Sequence, residues 1–177
     1  YLFSSPENEI TDIDLAGAVL REEAPSDLER LDNLDVHRDV LRRAILGASE
    51  KLLIVSPYLS NRAIEADGLA ALLKSRDALH VVVAYDHSLN TGRNGIMLPR
   101  AASAIEALHM AGAQTWPLAG AHNKTLAVDD DWIVEGSFNW LSALRDRDND
   151  FQRHEVSFLY RGEHAATYVN DAWKEAK

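Results

Sequence analysis

Two apolar runs constrain this chain more than any other feature. Leu52-Leu53-Ile54-Val55 and the valine-rich run from Leu79 to Tyr85 each sit between segments of helical pattern. A short run with no polar alternation buries both of its faces. Each therefore reads as a central strand of a sheet with helices packed above and below, which is an α/β fold.

The remaining segments are ordered around those strands. Thr11 caps a short helix running to about Glu23, and Leu28, Leu31 and Leu34 form a helical stripe. Asp35 caps a stronger helix through Val36, Val40, Leu41, Ala44, Ile45 and Ala48. Residues 62–75 form the next helix, and residues 86–99 are a long polar loop at the end of the second strand. A helix over 100–111 ends at Gly112, followed by a short strand at 114–117. Phe138 to Leu144 starts a further helix, 153–160 is a strand, and 163–175 closes the chain as a helix.

Charge divides the chain unevenly. The net charge is −10, and no cysteine is present, which excludes disulfides and thiolate chemistry. Residues 1–36 hold ten acids against two bases, leaving 18 acids and 16 bases elsewhere. We read residues 1–35 as an acidic helical leader and 36–177 as the domain that carries the chemistry. The opening Tyr-Leu-Phe-Ser-Ser-Pro has no basic n-region and no h-region, and it reads as a cut within a longer chain that holds further domains. No apolar run approaches the roughly 20 residues of a membrane span, so the expectation is a cytoplasmic protein with no membrane partner.

The chemistry concentrates between His122 and Asn139. Two short apolar runs, Thr125–Val128 and Trp132–Val134, flank the acidic triplet Asp129–Asp131, which predicts a hairpin. Side chains two apart in an extended chain point the same way. His122 therefore pairs with Lys124, and Ser137 with Asn139. The hairpin can bring together a nitrogen nucleophile or base, a cation and two neutral hydrogen-bonding groups, a set suited to a phosphate. Arg93, in the loop after the second strand, is a candidate substrate contact. Trp140 is a candidate platform for a base, with a core tryptophan as the alternative. Arg145, Arg147 and Arg153 could track a nucleic-acid backbone or pair with Asp146, Asp148 and Asp150.

The pattern His122-x-Lys124-x4-Asp129-x6-Gly136-Ser137-x-Asn139 resembles the HKD motif of the phospholipase D superfamily, with six fixed residue types over eighteen positions. The likeness covers roughly residues 36–176. It implies a phospholipase D-like three-layer α/β/α sandwich with a central mixed sheet. It also implies His122 as the nucleophile that forms a phosphohistidine, with Lys124, Ser137 and Asn139 binding phosphate oxygens. Glu155 would hydrogen-bond the far nitrogen of His122 and fix its tautomer. Asp129 would act through structure. No metal and no cofactor are required.

One departure matters: the family builds each active site from two motifs, and this chain has one. The missing histidine comes from a second copy in a homodimer or from a missing half of a longer chain, and the homodimer is favoured. The resemblance thus implies a nuclease acting on nucleic acid, DNA in preference to RNA. The wording Gly136-Ser-Phe-Asn-Trp-Leu-Ser142 also looks like phospholipase D-like domains attached to bacterial helicases and ATPases. A lipid hydrolase or phosphatidyltransferase, and a non-catalytic nucleic-acid-binding or dimerisation module, are the alternatives.

Overall fold

In the computed structural model, which describes residues 27–146 and 153–177, the two apolar runs lie side by side. They form β2 (Lys51–Val55) and β3 (His80–Asp86), paired in parallel from Lys51↔His80 to Val55↔Ala84. The other strands are β1 (Leu28–Leu31), β4 (Gln114–Leu118), β5 (Thr125–Val128), β6 (Trp132–Gly136) and β7 (Ser157–Tyr160). They complete one sheet in the order β1-β7-β6-β5-β2-β3-β4. β2, β3 and β4 are parallel, while β5, β6, β7 and β1 join antiparallel, so the sheet is mixed.

Helices cover both faces, as expected. On one face lie α1 (Leu34–Gly47), α2 (Asn61–Ala66), α3 (Leu69–Lys74) and α4 (Pro99–Met110). Their buried residues, Val40, Leu41, Ala44, Ile64, Leu73 and Leu108 among them, meet Leu52, Ile54, Val81, Val83, Leu126 and Val134. The opposite face is covered by α5 (Ala165–Glu175), whose Val169, Ala172 and Trp173 pack on Leu53, Val55, Val82, Ala84, Ala127 and Ile133. Alternate residues of β2 thus enter different cores. That is the physical reason the run is apolar throughout.

Four expectations are corrected. Leu28 and Leu31 belong to a strand, and the sheet begins before the boundary drawn at residue 36: β1 pairs with β7 from Leu28↔Tyr160 to Leu31↔Ser157. The cap of α1 is Asn33, whose side chain accepts the Val36 amide at 3.0 Å. The helix expected over 62–75 is two helices, split at Gly68, whose φ of 61° breaks the helical path. No helix forms over Phe138 to Leu144; a single turn closes with Ala143 N donating to Asn139 O at 2.9 Å. Tertiary bonds take the backbone instead: Leu141 N donates to Ser56 Oγ at 3.0 Å, and Ser60 N donates to Leu141 O at 2.8 Å. The leader helix ending near Glu23 lies outside the described residues.

Candidate active site

The hairpin forms as expected, with β5 and β6 in register from Thr125↔Glu135 to Val128↔Trp132. At its turn Asp129 adopts a left-handed φ of 50°, a conformation that Asp and Asn tolerate better than most residues. Its carboxylate faces away from the site and accepts the amides of Ser49, Glu50 and Lys51 at 2.8, 2.8 and 2.9 Å. Burial alone would raise its pKa. The three amides and the Lys51 charge outweigh that effect and hold it below the usual carboxylate range. Asp129 therefore ties the far end of the hairpin to the entry of β2.

The near end carries the candidate chemistry. Because β5 is antiparallel to β2 (Val55↔Thr125), residues 122–124 sit at the edge where β2 and β3 end. β6 ends and β7 begins at the same edge, at Gly136↔Ser157. This edge gathers His122, Lys124, Ser137, Asn139 and Glu155 from three neighbouring strands. His122 and Ser137 are exposed, Asn139 and Glu155 are half-buried, and Lys124 is only 8% exposed.

Lys124 Nζ donates to the carbonyl of His122 at 2.5 Å and lies 3.3 Å from His122 Nδ1. Burial lowers its pKa, and the negative charge of Glu155 pulls it back up. The negative charge of Glu155 is thus felt at the lysine. Among the described residues no hydrogen bond joins Glu155 to His122, in contrast to the pairing expected from the sequence. Ser137 Oγ accepts the Val156 amide at 3.1 Å, linking the end of β6 to the entry of β7. Asn139 Oδ1 is buried and has no hydrogen-bond partner among the described residues. Such a group is costly unless a ligand satisfies it, and rotating the amide would turn two N–H donors to the same place.

Trp140 does not serve as a base platform. It is 0% exposed and packs edge-on to Phe138 at 5.2 Å, inside the core. Arg145 is likewise not free to track a backbone. It is locked to Asp67 at 2.8 Å and to the carbonyls of Trp140 and Ala143. Arg147 lies outside the described residues, and Arg153 is exposed. Arg93 is exposed at the tip of the loop after β3, with no ion pair among the described residues. That loop leaves the same sheet edge, and Asn90 pins its base: its Nδ2 donates to Pro57 O and Asp86 O, both at 2.7 Å.

Two supports of the site were not read from the sequence. On the α5 face, Asn123 Nδ2 donates to Thr125 Oγ1 at 3.1 Å, and Thr125 Oγ1 donates to Glu135 Oε1 at 2.6 Å. This chain braces the backbone between His122 and Lys124 from behind. On the other face His37 of α1 is 0% exposed beneath the motif. Its signal was present: His37 falls on the same helical stripe as Val40, Leu41 and Ala44, where a polar group requires a buried partner.

No curated protein matches the sequence. The family model described as "Cardiolipin synthase, PLD-like domain" matches residues 41–161, most of the chain. NucT from Helicobacter pylori superposes with a TM-score of 0.58 at 17% identity, covering 84% of this chain and 94% of its own. Nuc from Salmonella typhimurium, a phospholipase D family member, gives 0.61 at 17% identity, with 84% and 92% covered. Phosphatidylserine synthase from Haemophilus influenzae gives 0.52 at 18% identity; 84% of this chain aligns with 37% of that one. At these identities the superpositions establish the mixed-sheet fold. The family model, running from within α1 through the hairpin to the end of β7, establishes the lineage: the chain belongs to the phospholipase D superfamily.

Proposed function

We propose that the protein is a metal-independent phosphodiesterase that cleaves nucleic acid, DNA in preference to RNA, through a phosphohistidine on His122. The observation that carries this reading is the near-burial of Lys124 beside an exposed His122. A desolvated ammonium is expensive unless an anion meets it. The only hydrogen-bond partners of Nζ among the described residues belong to His122 itself. A phosphate would replace those partners, with Ser137 and Asn139 donating to its other oxygens. The imidazole lone pair attacks phosphorus as the P–O bond to the leaving group breaks. The leaving oxygen takes a proton, and water then cleaves the P–N bond and returns the imidazole.

The proton for the leaving oxygen comes from His122 of a second copy, at a site shared about a two-fold axis. Three of the other histidines are engaged elsewhere: His80 stacks on Trp173, His109 bonds Thr115 at 2.8 Å, and His37 is buried. The chain covers nearly all of NucT and Nuc but little more than a third of phosphatidylserine synthase, which fits a single-motif unit. Charge favours a polyanion over a lipid surface. From His87 to Val128 there is one acid, Glu106, against three bases, Arg93, Arg100 and Lys124. This stretch supplies the loop after β3 and the approach to His122, and Arg93 is its exposed substrate contact.

The test is a substrate panel of bis(p-nitrophenyl) phosphate, labelled DNA and RNA, and phosphatidylcholine vesicles, each with and without EDTA. The reading expects the diester and nucleic acid to be cleaved in EDTA and the vesicles to be spared. His122→Ala should abolish turnover with the fold intact. Activity lost to the chelator, or retained in His122→Ala, would overturn the mechanism. Light scattering that shows only monomer at micromolar concentration would remove the shared site.

A further inference from the structure

The two arms of the site leave β6 and enter β7, and one buried side chain from far upstream in the sequence packs against both segments. His37 stacks on Phe138, with ring centroids 4.3 Å apart and an interplanar angle of 22°. Phe138 lies between Ser137 and Asn139 in the motif. The same ring meets Ser157 Oγ through Nε2 at 3.0 Å. Ser157, the first residue of β7, is 0% exposed and lies two residues beyond Glu155; the strand expected over 153–160 thus begins only after Glu155.

The tautomer follows from the other nitrogen. Nδ1 lies 2.8 Å from the carbonyl of Asn33, which can only accept, so Nδ1 carries the proton. Nε2 is then the acceptor and the Ser157 hydroxyl the donor. Burial supports this neutral form by lowering the His37 pKa below 6.5, although the Asn33 carbonyl and the charge of Glu155 oppose it. Ser157 has no freedom to move toward β6. A Cβ built on Gly136 would come within 2.5 Å of its Oγ, Cα and Cβ, so the two strands already touch there.

We propose that His37 is a positioning residue for this site, holding Glu155 and the Ser137–Asn139 arm in register through Ser157 and Phe138. This rests on the phosphodiesterase reading only for its activity readout. His37 does not touch substrate. Its hydrogen bond fixes where β7 begins, and its ring fixes the loop that carries Ser137 and Asn139. Removing the bond lets Glu155 drift from Lys124, so the transition state suffers more than ground-state binding.

Three variants separate this from a merely structural role. His37→Gln places a carbonyl oxygen where Nε2 accepts from Ser157 and loses the Asn33 bond. His37→Asn keeps a donor toward Asn33 and loses the Ser157 bond. Both lose the stacked ring, so each controls for the other. Ser157→Ala removes the same bond from its other end. With bis(p-nitrophenyl) phosphate, His37→Asn and Ser157→Ala should each lower kcat about tenfold with KM little changed. His37→Gln, which loses only the ring and the Asn33 bond, should retain several-fold more kcat than His37→Asn, and the double variant His37→Asn/Ser157→Ala should be no worse than His37→Asn alone. Equal loss in Gln and Asn, multiplicative loss in the double, or unchanged kcat in Ser157→Ala would overturn the proposal. Inorganic phosphate binding by calorimetry gives a readout independent of turnover, because the phosphate dianion carries the extra oxygen charge that the transition state gathers and the ground-state diester lacks. If the wild type binds phosphate without cleaving the diester, and His37→Asn weakens that binding more than His37→Gln does while Ser157→Ala also weakens it, the positioning role stands and the reaction class falls.

Discussion

The ammonium of Lys124 is hydrogen-bonded to the carbonyl of His122 at 2.5 Å and lies 3.3 Å from that residue's Nδ1. Without an anion, the lysine is thus held by the residue it would assist. An arriving phosphate would replace the carbonyl oxygen and ring nitrogen of His122 with its own oxygens as partners of the ammonium. Lys124 is satisfied before any anion arrives, whereas Asn139 Oδ1 is not, and His122 is already exposed.

Lys124→Met tests that exchange. Methionine fills the nearly buried channel and removes the charge. Turnover of bis(p-nitrophenyl) phosphate should fall about 10²–10³-fold, the scale seen when one donor to a developing oxyanion is deleted. Thermal stability should hold or rise, because a desolvated cation has been replaced by a thioether. A parallel fall in melting temperature would mean that Lys124 supports the fold instead.

Acid should destabilise the protein in two steps. The His37 pKa is lowered by burial, so the folded form binds fewer protons than the unfolded form once pH drops below about 6.5. Stability falls from there until the folded pKa is passed. Asp129 has a depressed pKa, so its contribution is present above the unfolded carboxylate range and is lost as pH falls through its folded value. Denaturant titrations from pH 8 to pH 3 should show both limbs. Ser49, Glu50 and Lys51 donate to a carboxylate at Asp129, and Asp129→Asn should cost about 2 kcal/mol at neutral pH and flatten the lower limb alone.

Asp67 joins two arginines, Arg38 at 2.6 Å and Arg145 at 2.8 Å, and the side chains of Asp67 and Arg145 are each 7% exposed. Asp67→Asn leaves the buried Arg145 guanidinium without a counter-charge. The expected loss is about 3–5 kcal/mol, read from chemical denaturation. A loss below about 1 kcal/mol would show that water reaches Arg145 in the folded protein.

Gly136→Ala tests the tight crossing between β6 and β7. A methyl there meets the Cα of Ser157 at 2.4 Å, which no side-chain rotation relieves. We expect a loss of about 1–3 kcal/mol from overpacking and a fall in activity, because the strands that carry Ser137 and Glu155 must separate. An unchanged melting temperature would contradict the closeness of the two backbones.

The parts legible in the sequence were those whose signal is local. Leu52–Val55 announced a doubly covered strand, and the spacing from His122 to Asn139 announced both hairpin and chemistry. What escaped depended on distant partners. Leu28, Leu31 and Leu34 mimic a helical stripe, but Leu28 and Leu31 form a strand because β7, far along the chain, offers a free edge. Phe138, Trp140 and Leu141 look like the start of a helix until Ser56 and Ser60 claim the backbone of Leu141. Arg145 sat among acids in sequence and chose Asp67, 78 residues earlier. His37 was an unremarked helix residue, and its partner Ser157 is 120 positions away.

The placement of β1 has a practical consequence. The family match opens at residue 41, yet the sheet opens at Leu28, with Leu31 fully buried. A truncation cut to the match would strip the strand that pairs with β7. The newly bared row of amides and carbonyls would run beside Ser157, two residues from Glu155. Exposed edges of this kind recruit strands from other molecules. A shortened protein would then aggregate from the flank of its own candidate site, and a failed assay would be mistaken for a property of that site.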